Sequence, residues 1–304
     1  ETVYSVIYSY YSGETTEERI KKAEEILGRK IEDTKPPINI HETKGIKRVA
    51  VLPVIGVIGK RLNMFNDVSG GVSTELLKRD IQQVIDDPSI DAAVLDFESP
   101  GGTIDGIREL AEYLFQVRGK KPILSYANGE MASGALYIGA ATDKITAFDT
   151  AEIGSIGVWV GHSDYSKFFE NLGIKNTIIR STKFKAAVNR YEPLTDDVKE
   201  YVQETVDHYA EMFAEDIAKY RNSDIEKVNK EWANGKMFPA RKALELGLID
   251  QIMTLEETIQ MAAEMADNHK GSFEAASGNE ESTNVIDSLT DRANHLLQKH
   301  ILRK

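Results

Sequence analysis

Ser133 lies between Ala132 and Gly134 in the stretch ANGEMASGALYIGAATDKI, residues 127–145, where a strand-like apolar segment gives way to a helical one. Ala, Ser and Gly in a row allow close helix packing, and that is the plain reading. The sharper reading makes Ser133 a nucleophile at a strand-to-helix turn. Its hydroxyl then needs a base to take its proton and N–H donors for the charge that develops on the attacked carbonyl. Three other segments carry suitable groups. In ESPGGTIDG, 98–106, Pro100 fixes one backbone angle, while Gly101 and Gly102 allow conformations that other residues resist. Such a turn can aim peptide N–H groups at an anion, or it can be a tight connection with no chemistry. AEIGSIGVWVGH, 151–162, is again rich in glycine and brings Ser155. RSTKFKAAVN, 180–189, places Lys183 and Lys185 after the strand-like NTIIR, a position where lysines are ordinarily surface residues.

Other chemistries are excluded by pattern. The six histidines are scattered and no HExxH occurs, so no metal site is expected. GVIGK at 56–60 lacks the spacing and the Ser/Thr of a phosphate-binding loop. Met131 and Ala135 stand where a GxSxG elbow would have glycines, and no Ser-His-Asp triad is indicated. The chain has no cysteine, which removes disulfides, thiol catalysis and zinc-thiolate sites. A net charge of −12 with no long basic cluster argues against nucleic acid. No apolar run approaches the roughly 18 residues of a membrane span, and the acidic start lacks the basic region of a signal peptide. The chain opens on Glu1 rather than Met, which leaves room for an upstream segment. No cofactor is expected.

These groups must be positioned by a core, and 304 residues can bury a sizeable one. Residues 1–44 read as an extension: an aromatic-rich start, a helix over 16–28 with Thr15 and Glu18 as a capping box, then the linker TKPPINIHETKG with Pro36 and Pro37. From Arg48 the chain alternates. VAVLPVIGVIG, DAAVLDFE, KPILSYA and KITAF read as buried strands; STELLKRDIQQVIDD, TIDGIRELAEYLFQV and the Ser133 segment read as helices. That alternation predicts an α/β domain, over 45–268, with largely parallel pairing. Thr195 caps a long helix with Asp196 and Asp197 in its first turn. Its stripe of Val198, Tyr201, Val202, Val206, Tyr209, Phe213, Ile217 and Tyr220 predicts core or subunit interface. Residues 269–304 read as a polar, disordered linker followed by an amphipathic segment over 285–302.

Taken together, SPGG (99–102), ASGALYIGAATDKI, GSIGV (154–158), STKFK (181–185) and ARKALELGLID (240–250) resemble the SppA-type serine peptidases, which include signal peptide peptidase A and the head-maturation proteases of lambda-like phages. The resemblance covers roughly residues 46–255, in the family's order, with the short members' 52-residue step from Ser133 to Lys185. It implies a crotonase/ClpP-like spiral of parallel strands and helices, and a Ser-Lys dyad. Ser133 would be the nucleophile and Lys185 the general base, with Gly102 or Gly101 and Gly134 giving the oxyanion N–H groups and Ser155 holding the lysine amine. Lys183, two residues away, makes the base assignment depend on register. A lysine base must be neutral, and lowering its pKa from about 10.4 to about 7 takes roughly 4 to 5 kcal/mol, which burial can supply. In bacterial relatives the dyad is completed between domains or protomers, which implies a homo-oligomer.

Within the family, GHSDYSKFFENLGI and EPLTDDVKEYVQETVDHYAEMFAEDIAKYR look more like the phage enzymes, as do the lack of an apolar span and the polar tail. That implies peptide-bond hydrolysis in a procapsid in the host cytoplasm, with scaffold, portal or capsid proteins as partners. The alternatives are a signal peptide peptidase of the bacterial envelope with its anchor removed, a crotonase-like acyl-CoA enzyme using Glu98 and Asp105, and an inactive assembly scaffold.

Overall fold

The computed structural model describes residues 38–43, 47–61 and 71–277. The helix expected over 16–28 and the segment 285–302 lie outside the described residues. The chain divides into two compact units, Glu1–Ala263 and Glu264–Lys304.

The first unit is built on a mainly parallel sheet, as expected. Its strands are β1 (Asn39–Glu42), β2 (Arg48–Ile55), β5 (Ala92–Ser99), β6 (Ile123–Ala132), β7 (Lys144–Ala147) and β10 (Gln251–Ile252), hydrogen-bonded in that order. β8 (Glu152–Gly154) pairs with the end of β6 and with β9 (Met237–Pro239), while β3 (Ile58–Gly59) and β4 (Val72–Ser73) form a separate pair. β2, β5, β6, β7 and β10 run parallel, and each parallel step needs a crossover, which the intervening helices supply. β1 is a correction to the sequence reading: the expected linker forms an antiparallel edge strand from Asn39 to Glu42, against Val51 to Arg48. The prolines stop just before it, and an edge strand tolerates them nearby.

The helices are α1 (Thr74–Asp86), α2 (Ile107–Val117), α3 (Gly134–Ala140), α4 (Ser166–Asn171), α5 (Asp196–Tyr220), the single turn α6 (Ile225–Lys227) with a π-turn at Val228–Trp232, α7 (Ala240–Leu246) and α8 (Leu255–Ser277). α1 begins where Ser73 Oγ accepts the Leu76 N–H, and it buries Leu77, Ile81 and Val84 on one stripe. α2 begins where Glu109 reaches back to the Gly106 N–H, and it buries Ile107, Leu110, Leu114 and Val117. These stripes meet Leu52, Val54, Leu95 and Phe97 on one face of the sheet. Each such side chain contributes about 1.5–3 kcal/mol by leaving water. On the other face Thr258 of α8 meets Thr146 at 2.8 Å. α8 continues to Ser277, so the stretch expected as a disordered linker from residue 269 begins as helix.

Two polar clamps fasten crossovers to strand ends. The Arg118 guanidinium donates to the carbonyls of Ala140, Ala141 and Thr142 at the end of α3 and of Tyr220 at the end of α5. Asp250 accepts from the Ile145 N–H at 2.8 Å and from Arg221 at 2.9 Å. Burial alone would raise the Asp250 carboxyl, but the hydrogen bonds and charge of Arg221, with Ile145 and Lys144, hold it below the ordinary carboxylate value. Its folded pKa is therefore depressed, so its contribution is present above about pH 4 and is lost as pH falls through the folded value. Asp250→Asn is expected to lower unfolding free energy by about 2 kcal/mol at pH 7, with the gap to wild type closing in acid. Urea melts of both proteins at neutral pH and near pH 3 check this; a gap independent of pH contradicts it.

Candidate active site

The site lies where β5 and β6 end. Ser99, fully buried at the end of β5, donates its hydroxyl to the Gly56 carbonyl at 2.6 Å and accepts the Gly101 N–H at 3.1 Å. This fixes the Pro100-Gly101-Gly102 turn. The Ile58 N–H donates to Gly101 O at 2.8 Å and the Thr103 N–H to Ile58 O at 3.0 Å, which straps the turn to β3. Both glycines are required. A Cβ on Gly102 would lie 1.7 Å from the Ile58 carbonyl oxygen, and one on Gly101, whose φ is +89°, would lie 2.7 Å from Gly134 N and 2.9 Å from Ser133 Cβ.

Ser133 follows β6 with φ 50° and ψ −121°, a backbone state costly for a residue with a Cβ. Its N–H donates to Gly154 O and its carbonyl accepts the Tyr137 N–H, both at 2.9 Å. This is a sharp strand-to-helix elbow that exposes the hydroxyl, although the GxSxG sequence is absent. Gly134 opens α3 against Ile107, whose Cδ1 would lie 2.3 Å from an added Cβ. Its N–H belongs to the first helical turn, where no intrahelical acceptor exists. The Gly101 N–H is committed to Ser99, so Gly102 and Gly134 hold the N–H groups with no intramolecular acceptor among the described residues. Ser155, at φ 54°, is held by its N–H on Lys236 O at 2.8 Å.

Ser133, Gly101, Gly102 and Ser155 share the lining of one cavity of about 400 Å³ with Val57, Pro100, Gly157, Val158, Trp159 and Gly235. No lysine lines it. Lys183 is ion-paired with Asp197 at the start of α5, and the Asp197 carboxyl is held down to about 2 by Lys183 and Thr195. The Lys185 side chain is exposed, and no ion pair or hydrogen bond engages its amine among the described residues. Neither Glu98 nor Asp105 reaches the cavity lining.

The lysines sit on an arm, 157–194, that sequence periodicity did not reveal. The strand expected at NTIIR is irregular backbone, with Ile179 94% exposed; its β-branched residues find no sheet edge. α4 buries nothing. Trp159, at the cavity mouth, is 85% exposed, and Phe168 and Leu172 are likewise uncovered. The stripe expected on α5 is split: Phe213, Ile217 and Tyr220 are core, whereas Tyr201 is exposed. An apolar surface of this kind marks an interaction site.

Known proteins point the same way. The family model for peptidase family S49 matches residues 116–269, about half of the chain. Among curated proteins the chain is 30% identical over 222 residues to the capsid assembly protease C of Escherichia phage lambda, covering 73% of this chain and 50% of the relative. It is 29% identical over 227 residues to the head-tail preconnector protein GP5 of Enterobacteria phage P21, covering 74% and 45%. It is 29% identical over 223 residues to the putative signal peptide peptidase SppA of Enterococcus faecium, covering 72% and 64%. The chain thus spans about half the length of the phage relatives it matches.

The elbow strain makes a prediction independent of any reaction. Ser133→Gly and Ser133→Ala both remove the hydroxyl, but only glycine relaxes the positive φ. The glycine variant is expected to be more stable than the alanine variant by about 0.5–1 kcal/mol, even though glycine has more entropy to lose on folding. Equilibrium denaturation of the pair checks this, and a more stable alanine variant contradicts it.

Proposed function

The chain belongs to peptidase family S49, and on that premise we propose that it is a serine endopeptidase in which Ser133 is the nucleophile and Lys185 of a neighbouring copy is the general base. The observation that carries the reading is the Ser133 elbow sharing one cavity with Gly102, whose N–H is uncommitted, while the uncommitted N–H of Gly134 follows Ser133 directly in the chain. Ser133 Oγ attacks the scissile carbonyl carbon as its proton passes to the neutral lysine amine. The oxyanion accepts hydrogen bonds from the Gly102 and Gly134 N–H groups, each worth about 3 kcal/mol of barrier. The lysine then returns the proton to the leaving amine, giving an acyl-enzyme. A water, deprotonated by the same lysine, attacks the acyl carbon and regenerates the hydroxyl. Ser155, beside Ser133 in the cavity, would hold the amine through its hydroxyl.

Two features support Lys185 over Lys183 and one copy completing another. Lys183 is committed to Asp197, whereas the Lys185 amine is uncommitted. Among the described residues the cavity has no lysine, while the arm that bears Lys185 displays uncovered apolar side chains. Docking of that arm on a second copy would bury the apolar surface and desolvate the lysine together, which a lysine base requires.

The phage relatives favour a capsid-maturation role: cleavage of scaffold, portal or capsid proteins, and of the chain's own tail, within a procapsid. A second reading, degradation of signal peptides, is favoured by the Enterococcus relative, more of whose length is covered. No described helix is long and apolar enough to cross a membrane.

Ser133→Ala and Lys185→Ala are each expected to lose at least about a thousandfold of the hydrolysis of fluorescein-labelled casein. Mixing the two inactive variants is expected to restore activity, because mixed assemblies contain intact pairs. Failure of the mixture to recover, with each variant assembled normally, overturns the intersubunit dyad; retained activity in Ser133→Ala overturns the nucleophile.

A further inference from the structure

Asp216 is a buried carboxylate with no part in the reaction described above. It lies on α5, is 6% exposed, and accepts hydrogen bonds from Arg108 of α2, at 2.7 Å to Nε, and from the Tyr137 hydroxyl of α3. Tyr137 is one helical turn beyond Ser133, and its own N–H donates to the Ser133 carbonyl. Its ring stacks on Phe213 of α5, with centroids 4.4 Å apart and planes 9° apart. Asp216 therefore ties α5 to the helix that begins at the nucleophile. At its other end α5 holds the lysine segment. Asp197 pairs with Lys183, and Tyr201 packs on Phe184 at 5.3 Å, so both residues just before Lys185 are fastened to α5.

We infer that α5 is the rod that sets where the base is presented and that Asp216 is its pin, a positioning residue acting through Tyr137 and Arg108; this rests on the Ser133–Lys185 reading given above. The lever is long. From Asp216 to Asp197 the helix runs about 28 Å, so a tilt of about 5° at the pin moves the far end by about 2.5 Å. A displacement of about 1 Å in a reacting group can cost about a hundredfold in rate. From Asp196 to Met212 only Val198 is buried, so little constrains the rod between the lysine segment and the core turns that begin at Phe213. The anchored end keeps other ties: Glu112 bonds Lys219 and Tyr220, and Arg118 bonds the Tyr220 carbonyl. Loss of the Asp216 bonds should therefore leave α5 docked but free to tilt. In a symmetric assembly the same tilt displaces every Lys185 from its neighbour's Ser133.

The test uses the full chain, with Ser133 counted by a fluorophosphonate titrant and turnover measured on fluorescein-labelled casein. Asp216→Asn is expected to lower kcat per titrated Ser133 by about a hundredfold with KM within about twofold, and Tyr137→Phe, which removes one of the two bonds, to fall between it and wild type. A residue that merely stabilised the fold would lower the number of titrated sites or the Tm and leave kcat per site unchanged; that outcome in both variants overturns the inference. Wild type that is not labelled at Ser133 overturns the underlying reading instead, so the two failures are told apart.

Discussion

Gly101 approaches the Ser133 elbow, and Gly102 approaches β3, more closely than any side chain allows. At Gly101 an added Cβ would sit 2.9 Å from Ser133 Cβ, and at Gly102 it would sit 1.7 Å from the Ile58 carbonyl. This contact brings the end of β5 against the end of β6, with the β5 turn strapped to β3, and leaves the Gly102 and Gly134 N–H groups without acceptors among the described residues. The rest of the unit can be understood as what holds that contact in place. Ser99 occupies the Gly101 N–H, the Gly154 carbonyl receives the Ser133 N–H, and Arg118 gathers the carbonyls at the far end of α3. The elbow's backbone state costs free energy that only a rigid surround can offset.

The same frame explains why half of the proposed chemistry is missing from a single copy. A parallel sheet with packed crossovers fixes Ser133 and the glycines proposed as oxyanion donors to elements with buried faces. Lys185, the proposed base, sits on an arm with apolar side chains that face water and with α5 contacts at Asp197 and Tyr201 beside it. A lysine in that position is solvated and cannot serve as a base until something excludes water from it. On the proposed reading, assembly is the step that turns on the chemistry.

Much of this was legible in the residues. The alternation of apolar runs such as DAAVLDFE with amphipathic stretches such as TIDGIRELAEYLFQV gave the α/β class, because burial and period are local properties of the chain. SPGG and GSIGV marked the turns, because glycine there answers a backbone demand. What stayed hidden depended on non-local partners. Asn39–Glu42 became a strand only because β2 offers an edge, and NTIIR failed to become one because no edge was available. The split of the α5 stripe follows from α3 and α2 covering only its last two turns. Neither the strain at Ser133 nor the commitment of the Gly101 N–H to Ser99 could be seen without the fold, and the apolar residues of the arm have no period that says what covers them.

The central claim is that the Gly102 and Gly134 N–H groups and a neighbour's Lys185 converge on Ser133. The most direct measurement is a crystal structure of the assembled protein after reaction with a peptide phosphonate. The account predicts phosphorus bonded to Ser133 Oγ, its oxygen within about 3 Å of both glycine nitrogens, and the Lys185 amine of an adjacent copy within hydrogen-bonding distance of Oγ. An adduct whose oxygen points to solvent, or a Lys185 amine still bathed in water in the assembly, would contradict it.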